Sequence, residues 1–445
     1  MKGYNEWDYK PYVPIGEITD AQVPFICRAA PSIDKIEVEW FHKNYEGKHS
    51  IFYSKAGSEE WQSFPVSERT FTIEELEKNT DYMLYITSEN GAKSNTRIAR
   101  TGFVPGTVVN YLHPTDSQYS FSGQYLCSPS IIKLPSGTLL ASMDVYAKAA
   151  PQNLTLIFRS EDKGNTWQYL TDLFPCFWGK MFLHNDALYM LSVSNEYGDL
   201  LIGRSDDEGF TWTTPTVIAR GSCNSNEKGN HKAPVPILKS HGRLWTACEF
   251  GCWSKRQFKS ALYSIDEGDD LLKADNWACS GYTEYCEDWP GAVQGRVGGI
   301  EGNVAESPEG NIFNILRYTE NKALILKADP YNPEEKQKFY KFIEFPLAHT
   351  KFEIQKHKNG IYYAMGNIFP GRTVLSIYTS EDLDHWQFMC DIVNYSEMDI
   401  KEVGFQYPSF CFDEDSLLLL SRTAFNKPAS FHNSNYITFH RVKLK

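Results

Sequence analysis

Few stretches of this chain bring together side chains able to act on a ligand. Asn230-His231-Lys232-Ala233-Pro234 joins an imidazole, which titrates near neutral pH, to an ammonium group. Such a pair can hold a carboxylate or sulfate, and His231 alone can work as a general acid or base. Glu249 closes the apolar run that follows. Trp178 opens an earlier run, and Trp253 and Trp289 lie in loops containing glycine. Indole rings in such places stack on sugar faces or pack between sheets. Arg422 ends the last apolar run, and His432 and Asn435 lie in a polar loop beyond it. Neither the pair Cys248-x-x-x-Cys252 nor Cys279 with Cys286 is joined by a second close Cys or His pair. Zinc is therefore not expected, the cysteines read as small buried hydrophobes, and no cofactor motif is present.

Composition narrows the partners. The chain has 445 residues, 42% hydrophobic, with Lys+Arg 44 against Asp+Glu 56 and a net charge of −12. That length supports more than one domain. The acidic balance gives no reason to hold nucleic acid. No apolar stretch reaches the roughly 18–20 residues that cross a bilayer. Met1 to Asp8 contains no apolar core of a signal peptide, so the chain reads as cytoplasmic, or secreted or periplasmic if trimmed. No motif sets an oligomeric state. Aromatics at 14%, with 30 Gly and 22 Pro, favour an all-β, turn-rich fold.

The elements that must position these residues fall into two parts. Up to about residue 105, short alternating runs such as Lys35 to Trp40 and His49 to Ser54 read as half-buried strands. Leu76, Thr80, Tyr82, Leu84 and Ile86 then follow in a spacing that resembles the tyrosine corner of a fibronectin type III sandwich. Residues 1–105 are read as that β-sandwich, in a spacer role. From about 120 a unit of strand, Gly- or Asp-containing turn and strand recurs, starting at Ser130, Lys180, Val235, Val304, Glu353 and Ser409. One small sheet cannot bury both faces alone, so such repeats stack as propeller blades, and six copies imply six blades over residues 106–445.

Ser160-x-Asp162-x-Gly164-x-Thr166-Trp167 and Ser205-x-Asp207-x-Gly209-x-Thr211-Trp212 follow two of these units, with a degenerate copy from Ser380 to Trp386. The pattern resembles the Asp box of the sialidase-like six-bladed β-propellers. The resemblance implies a site at the blade openings. Glu301 in Ile300-Glu301-Gly302-Asn303 and Arg317 match the sialidase base and a carboxylate-gripping arginine, and Asn303 lies beside them. Arg372 matches a second such arginine, and Tyr407 in Phe405-Gln406-Tyr407-Pro408-Ser409 matches the nucleophile. The chemistry is coherent. A phenol of pKa near 10 needs a carboxylate to take its proton, and a neutral phenol approaches an anionic sugar that a carboxylate would repel. Arginine forks bind carboxylates bidentately.

Two parts of the sialidase pattern are absent. The first arginine's place reads Cys127-Ser128-Pro129, and Ala147 to Pro151, where an acid/base Asp is expected, holds no acid. The nearest is Asp144, on the preceding strand. The expected function is thus a glycan-active enzyme, a glycoside hydrolase for an anionic or uronic-type sugar. A binding propeller without turnover and a polysaccharide lyase stand as alternatives. Tyr407, Glu301 and His231 are the catalytic candidates; Arg317, Arg372, Lys232, Asn303, Arg422 and Trp178 are the substrate-binding ones. Two structural expectations follow. The long insert from Cys252 to Gly299 should wall the pocket. Val108 to Leu112 should complete the last blade beside Tyr436 to Val442, because an open sheet edge is costly.

Overall fold

The computed structural model describes residues 22–222, 224 and 226–444. Met1 to Asp8, read above for a leader, lies outside the described residues. Among these, the only helix is a short 3-10 turn, Ala274–Asn276, and no helix is long and apolar enough to cross a membrane. The rest is antiparallel sheet and turns.

Strands Phe25–Pro31, Ile36–Phe41 and Thr70–Ile73 form one sheet; Gln62–Val66, His49–Lys55, Asp81–Ser88 and Arg97–Arg100 form a second. Asp81–Ser88 alternates half-buried and buried positions, as a strand with one face on a core must. Its inward residues Tyr82, Leu84 and Ile86 share a core with Ile36, Val38 and Trp40 of the other sheet. The Tyr82 hydroxyl accepts the Glu77 backbone N–H at 2.9 Å, the upstream contact expected of its place in the sequence.

Six sheets follow, each built around one of the recurrent units. The first runs through Tyr125–Lys133, Leu139–Tyr146, Thr155–Ser160 and Gln168–Leu173; the second through Phe177–His184, Ala187–Val193, Leu200–Ser205 and Thr216–Ala219. The third centres on Arg243–Cys252 and Gln257–Asp266, the fourth on Ile300–Glu306 and Ile312–Arg317, and the fifth on Glu353–Lys356 and Tyr362–Asn367. The sixth comprises Gly404–Asp413, Ser416–Ala424, Tyr436–Lys443 and Thr107–Tyr111. Strands such as Ala187–Val193 are buried at every position, because each sheet is covered by its neighbours on both faces. Each packs on the next, and the sixth packs back on the first.

The two Ser-x-Asp-x-Gly-x-Thr-Trp turns are built alike. Asp162 Oδ1 accepts from the Ser160 hydroxyl at 2.8 Å and the Thr166 N–H at 2.9 Å, and Gly164 takes φ +91°. Asp207, Ser205, Thr211 and Gly209 repeat this at 2.8 Å, 2.8 Å and φ +92°. In each, the buried tryptophan donates its indole N–H to the turn glycine's carbonyl. A residue with a Cβ would be strained at that φ.

The sixth sheet closes as expected. Thr107–Tyr111 pairs with Tyr436–Lys443, with Tyr436 opposite Tyr111 and Phe439 opposite Thr107. Arg28 donates to the Val109 carbonyl at 2.9 Å, and buried Arg97 bonds both Asp116 and the Ile26 carbonyl. The Tyr169 N–H donates to Glu39 at 2.9 Å. The N-terminal sheets are therefore fixed against the sixth and first sheets by polar contacts.

Where the innermost strands meet, charge is buried. Glu353, fully buried, receives Lys180 Nζ at 3.0 and 3.1 Å and Lys351 Nζ at 3.2 Å. Lys180 also reaches the Ser409 hydroxyl at 2.8 Å, so this network ties the second, fifth and sixth sheets. Burial works against the Glu353 charge, but the two lysines hold its carboxyl below the ordinary value.

Two outcomes follow. Truncation before Tyr436 removes the partner of both Ser416–Ala424 and Thr107–Tyr111, and should abolish the cooperative thermal transition by circular dichroism. Glu353→Gln leaves two buried ammonium groups without a counter-charge and should cost about 3–5 kcal/mol in urea unfolding at pH 7. A carboxyl depressed in the fold stabilises above its unfolded value, about 4.3, and loses that stabilisation as pH falls through its folded value. The gap between wild type and variant should therefore shrink as the solution is acidified.

Candidate functional site

Four first strands share one irregularity. Ser128 in the first sheet, Trp178 in the second, Glu301 in the fourth and Tyr407 in the sixth all have left-handed backbone, with φ of 48°, 52°, 56° and 50°. Each falls where the register shifts against the second strand: Ser128 between Cys127 and Ser130, the partners of Asp144 and Ser142; Trp178 between Phe177 and Lys180; Glu301 between Ile300 and Asn303; and Tyr407 between Gln406 and Ser409. These are β-bulges, which re-aim a side chain out of the normal alternation. Left-handed backbone at a residue with a Cβ costs of order 1–3 kcal/mol and persists only where the surroundings enforce it. The residue after each is Pro129, Gly179, Gly302 or Pro408. A Cβ on Gly302 would meet Asn314 Oδ1 at 2.1 Å, so glycine is required there.

Two of the bulges put Glu301 and Tyr407 in contact. The Tyr407 hydroxyl donates to Glu301 Oε1 at 2.9 Å, and Arg317 Nη1 donates to Oε2 at 2.9 Å. Glu301 is 4% exposed. Burial works against its charge, but Arg317, then His231, hold the carboxyl below its usual value, so it stays a base. Burial and the Glu301 charge raise the Tyr407 phenol, while Arg317, Arg372 and Arg422 pull it back. The guanidinium carbons of Arg372 and Arg422 lie 5.7 and 5.2 Å from the Tyr407 ring centre. Arg372 bonds Gln406, and Arg422 bonds the His432 carbonyl. Among the described residues neither forms an ion pair. Arg422 Nε is buried without a partner. Burial, then repulsion from Arg317 and Arg422, brings Arg372 down to about 10. Arg422, then burial, brings His432 down to about 3, leaving it neutral. Tyr146 lies 5.4 Å from the His432 ring and beneath Arg422.

His231 belongs to the same region. Its Nδ1 is 3.3 Å from Glu249 Oε2, and Glu249 Oε1 accepts the Gly302 N–H at 3.1 Å. The rings of Trp178, Tyr197 and Phe258 enclose it at 4.7, 6.1 and 5.1 Å, leaving it 3% exposed. Trp178 thus packs on His231, with its N–H donated to Asp144 at 2.8 Å. Asp144 is fully buried and also accepts from Thr155, so no leaving group can reach it.

Three expected contacts are not made. Lys232 is fully buried, with its ammonium on the Ala233 carbonyl at 2.6 Å, and burial brings it down to about 7. It follows directly on the short strand Gly229–His231 and turns into the interior. Asn303 bridges the fourth and fifth sheets through the Phe352 carbonyl at 3.2 Å and the Ile354 N–H at 3.0 Å. Asn435 bonds both backbone groups of Phe425 and is fully buried. Trp289 stacks on Phe339 at 4.8 Å. Trp253, Arg256, Arg296 and Gly298 of the insert line a cavity of about 250 Å³ that Arg317 also borders, while Tyr407 and Glu301 are not among its lining residues.

Glu196 is not singled out in the sequence. It lies in the turn Ser194-Asn195-Glu196-Tyr197-Gly198, which reads as a polar loop, and it has a partner distant in sequence. Gln152 Nε2 donates to its Oε2 at 2.9 Å. Among the described residues no group of three His, Cys, Asp or Glu is arranged to hold a metal.

No protein-family model matches the chain, and no curated protein matches it. Solved structures do. An α-L-arabinanase of Penicillium chrysogenum complexed with arabinobiose is 16% identical, covering 76% of this chain and 98% of that one, with a TM-score of 0.51. A leech intramolecular trans-sialidase is 10% identical over 99% and 95%, with a TM-score of 0.50. A Dyadobacter fermentans protein of unknown function is 14% identical over 77% and 100%, at 0.51. At these identities the likeness is one of fold: an all-β architecture of the kind found in propeller glycosidases.

Arg372→Ala or Arg422→Ala should each weaken binding of an acidic sugar by about 1.5–3 kcal/mol, the range for a hydrogen bond to a charged group. Titration calorimetry on the two variants and the wild type measures this.

Proposed function

We propose that the chain is a glycoside hydrolase of sialidase-like mechanism for an acidic sugar. In this reading the six sheets are the six blades of a propeller over residues 106–445, carrying Asp-box turns. Residues 1–105 belong to a fibronectin type III-like sandwich. The observation that carries the reading is the Tyr407–Glu301 hydrogen bond of 2.9 Å, with three guanidinium groups around the phenol. Glu301 takes the phenol proton as Tyr407 attacks the anomeric carbon. The arginines bind the substrate carboxylate beside the attacking oxygen. A carboxylate on or next to the anomeric carbon fits this placement best. A carboxylate nucleophile would repel such a sugar, and the neutral phenol does not. Arg422, from the sixth sheet, supplies the third guanidinium that Cys127-Ser128-Pro129 does not.

The test is a panel of 4-methylumbelliferyl glycosides of N-acetylneuraminic acid, glucuronic acid and α-L-arabinofuranose. An acidic member should be hydrolysed and the neutral arabinofuranoside should not. Tyr407→Phe should lose about 10³-fold or more in kcat while still binding the acidic sugar, because only the reacting oxygen is removed. Wild-type binding of acidic sugars without turnover would replace hydrolysis with recognition alone.

A further inference from the structure

Resting on the reading just given, we infer that Glu196 is the residue that protonates the leaving group. The reaction needs such an acid, because a sugar alkoxide leaves poorly unless it gains a proton as the bond breaks. The loop after Leu139–Tyr146 has no acid, and Asp144 is sealed in the interior by Thr155 and the Trp178 N–H. That loop provides Gln152 instead, whose side-chain N–H holds the Glu196 carboxylate at 2.9 Å. The missing acid is thus replaced from the neighbouring sheet at the place where this loop arrives.

Two side chains connect Glu196 to the nucleophile. His231 is within electrostatic reach of both the Glu196 and Glu301 carboxylates. Tyr146 is likewise within reach of both Glu196 and Tyr407. In space, Tyr197, the residue after Glu196, lies 6.1 Å from the His231 ring, and Tyr146 lies beneath Arg422, whose guanidinium is 5.2 Å from the Tyr407 ring, so Glu196 borders the side chains that surround the nucleophile. Gln152 is itself rigid: it is 1% exposed, and its N–H bonds the Ser122 carbonyl at 2.9 Å. His231 is a poorer acid because three rings and Glu249 enclose it, whereas Glu196 is only half-buried. Burial raises the Glu196 carboxyl, favouring the protonated form it needs.

The steps balance. Tyr407 Oη bonds to the anomeric carbon, its proton passes to Glu301, and the bond from that carbon to the leaving oxygen breaks as Glu196 protonates that oxygen. In the second half water attacks the same carbon and gives a proton to Glu196. The bond to tyrosine breaks, and Glu301 returns the proton to the phenol oxygen.

The experiment compares two leaving groups on the acidic sugar found active above: 4-methylumbelliferone, which departs unaided, and a methyl or sugar alcohol, which does not. Glu196→Gln should lower kcat/KM for the alkyl glycoside by about 10²-fold or more and that for the aryl glycoside by under about 10-fold. Azide should restore aryl-glycoside turnover in Glu196→Ala, giving a glycosyl azide. Unchanged thermal unfolding and unchanged binding of the free sugar acid establish that each variant is folded. If Glu196→Gln fails to fold, Glu196→Asp is used, with the same leaving-group split expected. Equal losses on both glycosides without azide rescue would overturn the assignment; the same split in His231→Gln and not in Glu196→Gln would move it to His231. A wild type that cleaves no acidic glycoside is a different result, because it removes the parent reading itself.

Discussion

A carboxylate that must stay charged while buried governs this site. Glu301 can accept a proton from Tyr407 only if it is ionised, and 4% exposure leaves water little part in keeping it so. Arg317 meets that need from one side only, on Oε2, and Oε1 is left for the phenol. Among the described residues the other two guanidinium groups form no ion pair. Burial first, and repulsion from Arg317 and Arg422 next, loosen the hold of Arg372 on its proton. The fold has assembled a positive excess in a chain of net charge −12. A ligand carboxylate entering there relieves a repulsion as well as forming hydrogen bonds, so affinity and ligand charge are linked by construction.

The same strands solve a second charge problem differently. Around the axis, Lys180 and Lys351 close on Glu353, and Ser409, Gln355 and the Phe410 N–H satisfy what remains. That network is internally complete and holds three sheets together. The mouth is incomplete by comparison. The contrast separates stability from binding within a few residues of the same strand: Ser409 is on the axis and Tyr407 at the mouth.

What could be read from the sequence was what is local or repeated. The Asp turns were legible because their hydrogen bonds span four residues, and the closing strand because an unpaired edge had to be filled. Glu301, Arg317, Arg372 and Tyr407 stood out through the resemblance to the sialidase pattern at the repeat openings, and the structure brings them together. Lys232 and Asn303 carried the same kind of signal, polar residues early in an inner strand, and went elsewhere. Direction decides this. Lys232, just past Gly229–His231, turns into the interior, and Asn303, beyond the bulge at Glu301, bonds across to the fifth sheet. Arg422 was ambiguous until its pairing opposite Gln406 was known. Glu196 carried no signal, since what makes it notable is Gln152, in a loop of the preceding sheet.

The four left-handed bulges have a broader consequence. They act as interchangeable sockets on one frame, each offering a side chain to the mouth without disturbing the strand that carries it. Two hold Glu301 and Tyr407, one holds an indole against His231, and one holds only a serine. The backbone distortion is already present at Ser128, whose buried side chain is the smallest of the four. New specificities can therefore arise on this scaffold by exchanging what is plugged into a socket, while the Asp turns and the axial charges keep the frame unchanged.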